Sequence, residues 1–543
     1  MIFNYKYGRP SNITNSATAM GLSFAPDLLR EPTFFVGNLN QKIPFREAMS
    51  ALHDVVVSDL RFRPKDKTAY KEWAKTQEEL WLAAYMADLP DLIEKIDHLK
   101  TELGSLRAHK NKILQPFYKA RQSFFEYIRK RDYDAWFVLD PVITVHPDEL
   151  FFECFSQDES TYARLGCDYN VFEQINTFEC GTTNIDYSSS LYNEFQKIRT
   201  YKDTNFKIDP SGFDVQTEHE AAYKEEKIDL PDTWVRGFLQ VSAAMTLPSV
   251  ELDLHPMDLW NCLFFLKRNK AKSSPRYMKY ILSPGQPIRI LFEPWKKEIS
   301  CPRSIYIGKE EQEIKIWGRR RLLTLERLLP IAQNVKIHLL GDGLPSFYIV
   351  GMDDLNFTLG LSGWTTNDWS GAGRFNLLGS TKAVDTYSKQ QVYQNLRQAW
   401  VLSAEDLAQK TALDKATVQD IMTLHAQEGN AIYDLNKKQF RARVLSKDGI
   451  PTEQLCFVSA VEQEAYEAVT NHRVRITRHQ QKGDLEEVAG VVQEKDKKYI
   501  PHFFLNEDKR IVKADCTCNH FQQNGLRKGP CAHLLALRML ANV

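Results

Sequence analysis

Four side chains close to the C-terminus constrain this chain more than any other feature. Cys516-Thr517-Cys518 is answered after a loop by Cys531-Ala532-His533, and three thiols with one imidazole are ligands of the kind zinc prefers. Arg510 to Asp515 has the composition of a strand. Residues two apart on an extended chain project to one face, so Cys516 and Cys518 can grip a single ion, whereas a helix would splay them. Gly529-Pro530 precedes the second pair, and Leu534, Leu535, Leu537 and Leu540 follow at helical spacing. That pattern places Cys531 at or just before a helix start and His533 in its first turn. The partial positive charge of a helix N-terminus favours thiolate there. Four protein ligands close a tetrahedral shell with no open position, so the expected Zn2+ site is structural. His520, two residues after Cys518, is a rival for the imidazole position, but choosing it leaves Cys531 with no local companion.

The Cys-x-Cys and Cys-x-His pairs, with a strand before them and a Leu-rich helix after them, resemble the SWIM zinc finger. The resemblance implies a zinc-binding module that contacts nucleic acid or protein, and it covers only the end of the chain. A wider resemblance rests on Trp317-Gly318-Arg319-Arg320-Arg321, Gly343-Leu344-Pro345-Ser346-Phe347-Tyr348, Leu359-Gly360-Leu361-Ser362-Gly363-Trp364 and Asn367-Asp368-Trp369-Ser370. Together these are similar to the long bacterial SWIM-domain proteins, commonly encoded beside a MoxR-type AAA ATPase and a von Willebrand factor A protein. That resemblance implies those two as partners.

A chain of 543 residues is too long for one core and points to several domains. Lysine plus arginine equals aspartate plus glutamate at 70 each, so no global field draws the chain to nucleic acid or an acidic membrane. Binding of either must come from a local patch. Met1 to Pro10 lacks the apolar core of a signal peptide, and no apolar run approaches the ~18 residues that span a bilayer. The expected location is the cytoplasm. Cys154, Cys167, Cys180, Cys262, Cys301 and Cys456 are scattered, which fits buried thiols in a reducing compartment.

The expected fold class is α+β multidomain. Residues 1–66 form an N-terminal segment. Residues 67–135 read as a helical hairpin or short coiled coil on the seam Leu92, Ile96, Leu99, Leu103, Leu106, Ile113 and Phe117. Residues 136–387 read as a mixed α/β region. Its strand signals at Phe137 to Leu139, Ile305 to Ile307, Val335 to Leu340, Phe347 to Val350 and Phe357 to Leu361, with helical Leu322 to Ile331 between the second and third, predict a strand, helix, strand unit. Residues 388–450 resemble a winged helix: Val392 to Val401 forms a helix, Ser403 with Asp406 and Asp414 with Thr417 cap two more, and Ala431 to Tyr433 with Phe440 to Val444 form a hairpin. Residues 455–543 read as a small β-sheet carrying the zinc finger, with strands at Arg473 to Thr477, Glu487 to Val492, Tyr499 to Phe504 and Ile511 to Ala514.

Three function classes compete. Nucleic-acid binding has Lys437, Lys438, Arg441 and Arg443 on the wing, and Arg473, Arg475, Arg527 and Lys528 on the tail, aided by Arg478, Lys495, Lys497 and Lys498. The recognition helix offers only Lys415, Gln419 and His425 against Asp420 and Glu428, without the arginine that most often reads guanine. Arg527 and Lys528 equally well offset the net negative charge of a three-thiolate zinc site. Protein interaction has the helix-turn-helix, the heptad segment and Trp364 to Phe375, read either as an aromatic anchor or as a Gly-rich turn burying two tryptophans. For an enzyme there is no phosphate-binding loop, no His-Glu-x-x-His and no Gly-x-Ser-x-Gly elbow, and Asp140 and Asp342 suit turns better than magnesium ligands. The expectation is a non-catalytic zinc-binding adaptor or recognition subunit mediating protein interaction, with no small-molecule substrate. The alternative is a DNA- or RNA-binding protein using the winged helix and the basic tail.

Overall fold

Apolar runs from the middle of the chain fold as strands buried on both faces. All seven residues of Leu355–Leu361 and six of the seven of Ser346–Met352 are buried, which is why they read as continuous runs and not as alternation. The computed structural model describes residues 12–15, 19–24, 33–58, 141–175, 178–184, 195–201, 203–208, 232–341, 343–363, 384–445, 450, 457, 459–494 and 497–541. The chain divides into two units, one of residues 1–58 with 138–543 and one of residues 59–137. The heptad segment 67–135, Asp140, Asp342, Lys495, Cys456 and Trp364 to Phe375 lie outside the described residues.

The eight-stranded sheet runs Val250–Leu254, Asn334–Leu339, Ser346–Met352, Leu355–Leu361, Thr161–Asp168, Glu149–Phe155, Val142–Val145, Gly181–Asn184, and every pairing is antiparallel. Helix Lys42–Val56 packs on it through Phe45, Met49 and Leu52. Helix Asp232–Met245 brings Trp234, Phe238 and Leu239 against Phe155 and Tyr162. The expected strand, helix, strand unit is corrected here. Lys297–Ile305 belongs to a separate four-stranded sheet with Pro287–Phe292, Met278–Leu282 and Gln312–Ile316, while Asn334–Leu339 is in the eight-stranded one. The intervening stretch is 3-10 helix, Arg319–Arg327 and Leu329–Ile331, with Leu322, Leu325 and Leu329 buried. Apolar spacing marks a buried face but does not say which sheet receives a strand.

Between residues 386 and 442 the order is helix Thr386–Ala399, strand Val401–Leu402, helix Ala404–Thr411, helix Lys415–Gln427, then a hairpin of Ala431–Asp434 and Gln439–Ala442. Both caps fall where the sequence puts them. The Ser403 hydroxyl accepts from the Asp406 N–H at 3.1 Å and the Asp406 carboxylate accepts from the Ser403 N–H at 3.2 Å, a reciprocal box. Asp414 accepts from the Thr417 N–H at 2.9 Å. Val392, Leu396, Leu407, Val418, Ile421 and Phe440 make a local core.

The hairpin does not stand free of the body. Ile432, Leu435 and Leu445 join the core of Phe155, Trp234 and Phe238, and its cations enter the end of the eight-stranded sheet. Arg441 donates to both oxygens of Asp148 at 2.8 and 2.9 Å and to Asp434 at 3.0 Å. Arg443 donates to Glu153 at 2.7 Å and to the Ser242 hydroxyl at 2.6 Å. The Lys437 ammonium lies 2.6, 3.1 and 3.2 Å from Asp168, Glu149 and Asp148. Such charges tolerate burial only because each meets opposite charge and hydrogen bonds.

His146 sits in the same junction, its Nε2 2.7 Å from the Ala442 carbonyl. Burial and the adjacent Arg441 guanidinium push its pKa down to about 3. A histidine held below its unfolded pKa contributes stability that is complete above about pH 6.5 and is lost as pH falls toward the folded value. Stability is expected to decline by up to about 1.4 kcal/mol per pH unit below pH 6.5 from this group alone. Asp148, held low by Arg441 and Lys437 against its own burial, loses stability in the same direction at lower pH. Comparing urea midpoints of the wild type and His146→Gln from pH 7.5 to 5 isolates the histidine. An identical pH slope in the two proteins would refute the assignment.

The C-terminal module opens with helix Ala460–Thr470 and continues through strands Val474–Lys482, Leu485–Glu494, Lys497–Tyr499, His502–Leu505 and Ile511–Asp515. The stretch expected as one strand from Tyr499 is two, broken around Pro501, which has no N–H to give a ladder. Val488, Val492, Phe503 and Leu505 face Leu534 and Leu537 of helix Ala532–Ala541. Gly490 allows this approach, since a Cβ there would lie 2.4 Å from a Leu537 methyl and 2.7 Å from the Arg475 carbonyl. Asp508, buried in the turn before Ile511, accepts from the Arg276 N–H at 2.7 Å and the Trp317 indole N–H at 3.0 Å, and also from the Ser274 hydroxyl. These bonds tie the module to the four-stranded sheet.

Candidate metal centre

Strand Ile511–Asp515 delivers Cys516 at its end, where the Cys516 N–H donates to the Asp515 carboxylate at 2.8 Å. Cys518 then caps the short helix Asn519–Asn524, its sulfur accepting from the Phe521 N–H at 3.4 Å. Gln522, from that helix, donates to the Cys516 carbonyl at 2.8 Å and closes the loop on itself. Cys531 immediately precedes helix Ala532–Ala541, whose first hydrogen bond runs from the Leu535 N–H to the Cys531 carbonyl at 3.1 Å, and His533 is in the first turn. The ligand atoms of Cys516, Cys518, Cys531 and His533 all lie within 4.8 Å of one another, and all four residues are buried. Zn–S bonds of about 2.3 Å in a tetrahedral shell need donors spaced on this scale.

The imidazole is aimed. Its Nε2 is 3.0 Å from the Glu494 carboxylate, while its buried Nδ1 has no hydrogen-bond partner. A ligating histidine usually gives its other ring nitrogen to a carboxylate, which fixes ring and tautomer, so Nδ1 would hold the ion and Glu494 would orient the ring. The Tyr499 ring lies 4.1 Å from the imidazole, centre to centre, and holds its plane. Cys531 is the most acidic thiol of the set, lowered to about 4 chiefly by the hydrogen bond from Cys516 against its burial. The Cys516 hydrogen bond to Cys531, with burial, raises the Cys516 thiol, and burial raises that of Cys518. Burial opposes protonation of His533, but Cys531 and Glu494 outweigh it and raise its pKa. The cluster fits Zn2+, which needs three thiolates and therefore displaces protons on binding.

Residues 502–537 match the family model of the SWIM zinc finger. No curated protein sequence matches the chain. Among solved structures, proliferating cellular nuclear antigen from Entamoeba histolytica is similar at 9% identity over 41% of this chain and 89% of its own, with a TM-score of 0.28. The A. fulgidus PCNA bound to the C-terminal region of FEN-1 is similar at 12% identity over 42% of this chain and 91% of its own, with a TM-score of 0.29. Scores this low carry no argument about this chain.

The structure brings the four expected ligands of the SWIM finger together and leaves His520 exposed and outside the cluster. Arg475, Arg527 and Lys528 are exposed, and Arg473 is half-buried. The wing is corrected. Arg441 and Arg443 are fully buried in the ion pairs described above, and Lys437 is enclosed by three carboxylates. Lys438 pairs at the surface with Glu251 at 2.8 Å. Arg441, Arg443 and Lys437 serve the junction with the body and do not form a phosphate-facing row, while Lys438 stays at the surface. Glu494 and Tyr499 escaped the sequence reading, because a carboxylate and a ring far upstream of the ligands carry no local signal of their part in the site.

Proposed function

We propose that this chain is a non-catalytic, zinc-binding recognition subunit that joins macromolecules through its C-terminal module. The observation that carries the reading is the ligand set: four buried protein donors lie within 4.8 Å of one another, enough to complete the shell of a zinc ion, and the imidazole is held from behind by Glu494. Such a site holds a shape and offers no position to a substrate. The order helix, strand, helix, helix, hairpin between residues 386 and 442, with its three-stranded sheet, supports reading that segment as a winged helix used as a protein-docking scaffold. Its hairpin cations are engaged with the body's own carboxylates. The wider resemblance makes a MoxR-type AAA ATPase and a von Willebrand factor A protein the partners of this reading.

The test is capture from the native cell with the full chain as bait, followed by mass spectrometry, beside the same capture with Cys531→Ser. Retention of the ATPase by the wild type and its loss with Cys531→Ser is the expected result. A wild-type bait that holds neither named partner would overturn the partner assignment. A magnesium-dependent nuclease activity of the purified chain would overturn the non-catalytic reading.

A further inference from the structure

Among the described residues, the five-stranded sheet of the C-terminal module has a helix on one side only. Its inner face, with Val488, Val492, Phe503 and Leu505, packs on helix Ala532–Ala541. Directly opposed residues of antiparallel strands share a face, so the register Gln480, Glu487, Phe504, Lys513 defines one row across the outer face. Arg478, Ala489 and His502 define the next. Arg475 opposite Val491 and Lys498 opposite Gln493 extend the same face. Arg475, Arg478, Lys482, Lys498 and Lys513 are exposed, and among the described residues no secondary-structure element packs over them.

Two features of this face point to a ligand. The first is charge. Glu487 is held by Gln480 at 2.7 Å, His502 at 2.9 Å and Arg478 at 3.2 Å, so its carboxylate is already matched from within. Arg475, Lys482, Lys498 and Lys513 then face Asp515 as the remaining acid of the face among the described residues. The second is the ring at the centre. Half-buried Phe504 lies between the ammonium groups of Lys482 and Lys513, 5.8 and 5.9 Å from its centroid, with the His502 ring 4.8 Å away. A flat aromatic platform bordered by cations, beside small Ala489, is the combination that stacks bases while phosphates meet lysine and arginine. A duplex hides its base faces and an acidic peptide has none.

We infer that the outer face of this sheet binds single-stranded nucleic acid, with a base stacked at Phe504 and backbone phosphates on Arg475, Lys482, Lys498 and Lys513. The inference rests on reading the C-terminal module as a recognition surface, and it places that surface on the side of the sheet away from the last helix. The experiment is fluorescence anisotropy of the full-length, zinc-loaded chain with an oligothymidylate and an oligouridylate of about twenty nucleotides, across a salt series. Binding is expected to weaken steeply with salt. Lys482→Glu combined with Lys513→Glu is expected to lose about tenfold or more in affinity and to flatten the salt slope by about 1.4, or about 0.7 for each phosphate contact removed. Phe504→Leu, which keeps apolar volume but removes the ring, is expected to lose about tenfold with the slope unchanged. If Phe504→Leu loses zinc, the double lysine variant, altered at two exposed positions, decides alone. The inference is overturned by wild type that binds neither strand, by a blunt duplex that binds as tightly, by poly-glutamate competing as well as the strand, or by unaltered affinity in the lysine variant. Any of these outcomes with zinc content and partner capture intact removes this inference and leaves the proposed function standing.

Discussion

Cys531→Ser is expected to strip zinc from the purified protein and to open the chain beyond about residue 500 to protease, while the eight-stranded sheet and the helices packed on it stay folded. Structural zinc sites contribute about 10–16 kcal/mol of apparent binding free energy in small modules, and that energy is folding energy. Here it acts directly on the module's core, since Cys516, Cys518 and Cys531 are themselves members of the buried cluster around Val488, Phe503 and Leu534. Serine removes one donor and the most acidic thiol of the set, leaving three ligands whose mutual geometry was fixed by a fourth. The loop from Asn519 to Pro530 then keeps the Gln522 to Cys516 bond, the buried Phe521 and its own short helix and turns to hold its shape. The body keeps its own supports, because the eight-stranded sheet and its helices bury their residues independently of the finger. Elemental analysis of chelator-free material and a timed protease digest read the two effects. Stoichiometric zinc retained by Cys531→Ser would remove that residue from the ligand set. Glu494→Gln provides the graded companion: about 10–100-fold weaker metal binding is expected, because it disturbs the ring's orientation without removing a ligand.

The zinc ligands were legible because their chemistry and spacing are local. A strand brings two thiols to one face, and a helix start brings the third thiol and the imidazole to the same point, all inside one short segment. The caps at Ser403 and Asp414 were legible for the same reason, each spanning three residues. What the sequence could not display was the fate of side chains whose partners lie far away in it. Arg441 and Arg443 read as an exposed basic wing, yet Asp148 and Glu153, nearly three hundred residues earlier, turn them into buried ions. Formal charge in a hairpin is evidence of a phosphate contact only when no carboxylate of the same chain reaches it first. The same limit hid the division of Lys297–Ile305 and Asn334–Leu339 between two sheets, since periodicity records that a strand is buried and not what buries it.

The buried pair of Arg443 and Glu153 gives the second large effect, and its sign depends on how the pair is broken. Glu153 accepts from Arg443 and from the Tyr162 hydroxyl, both at 2.7 Å and both at Oε1, while its Oε2 is buried with no hydrogen-bond partner. Arg443→Ala removes the cation hydrogen-bonded to this carboxylate and leaves a void beside Phe238, whose ring centroid lies 5.4 Å from the guanidinium carbon. Removing one member of a buried pair costs about 3–5 kcal/mol, chiefly from the charge left behind. Part of that loss falls on the junction between the hairpin and the eight-stranded sheet, because the Ser242 hydroxyl also loses its donor. Arg443→Met with Glu153→Gln takes away both charges together, and the glutamine still accepts from Tyr162. The double variant is therefore expected to recover most of the single variant's loss, as buried ion pairs often do when replaced whole by neutral groups of similar volume. Urea midpoints of the wild type, Arg443→Met, Glu153→Gln and the double variant form the required cycle. Losses that simply add would show that the two residues are not coupled and that the ion pair does not hold the junction. A large positive coupling would establish that the hairpin's arginine is spent inside the protein, which is why it is unavailable to an outside partner.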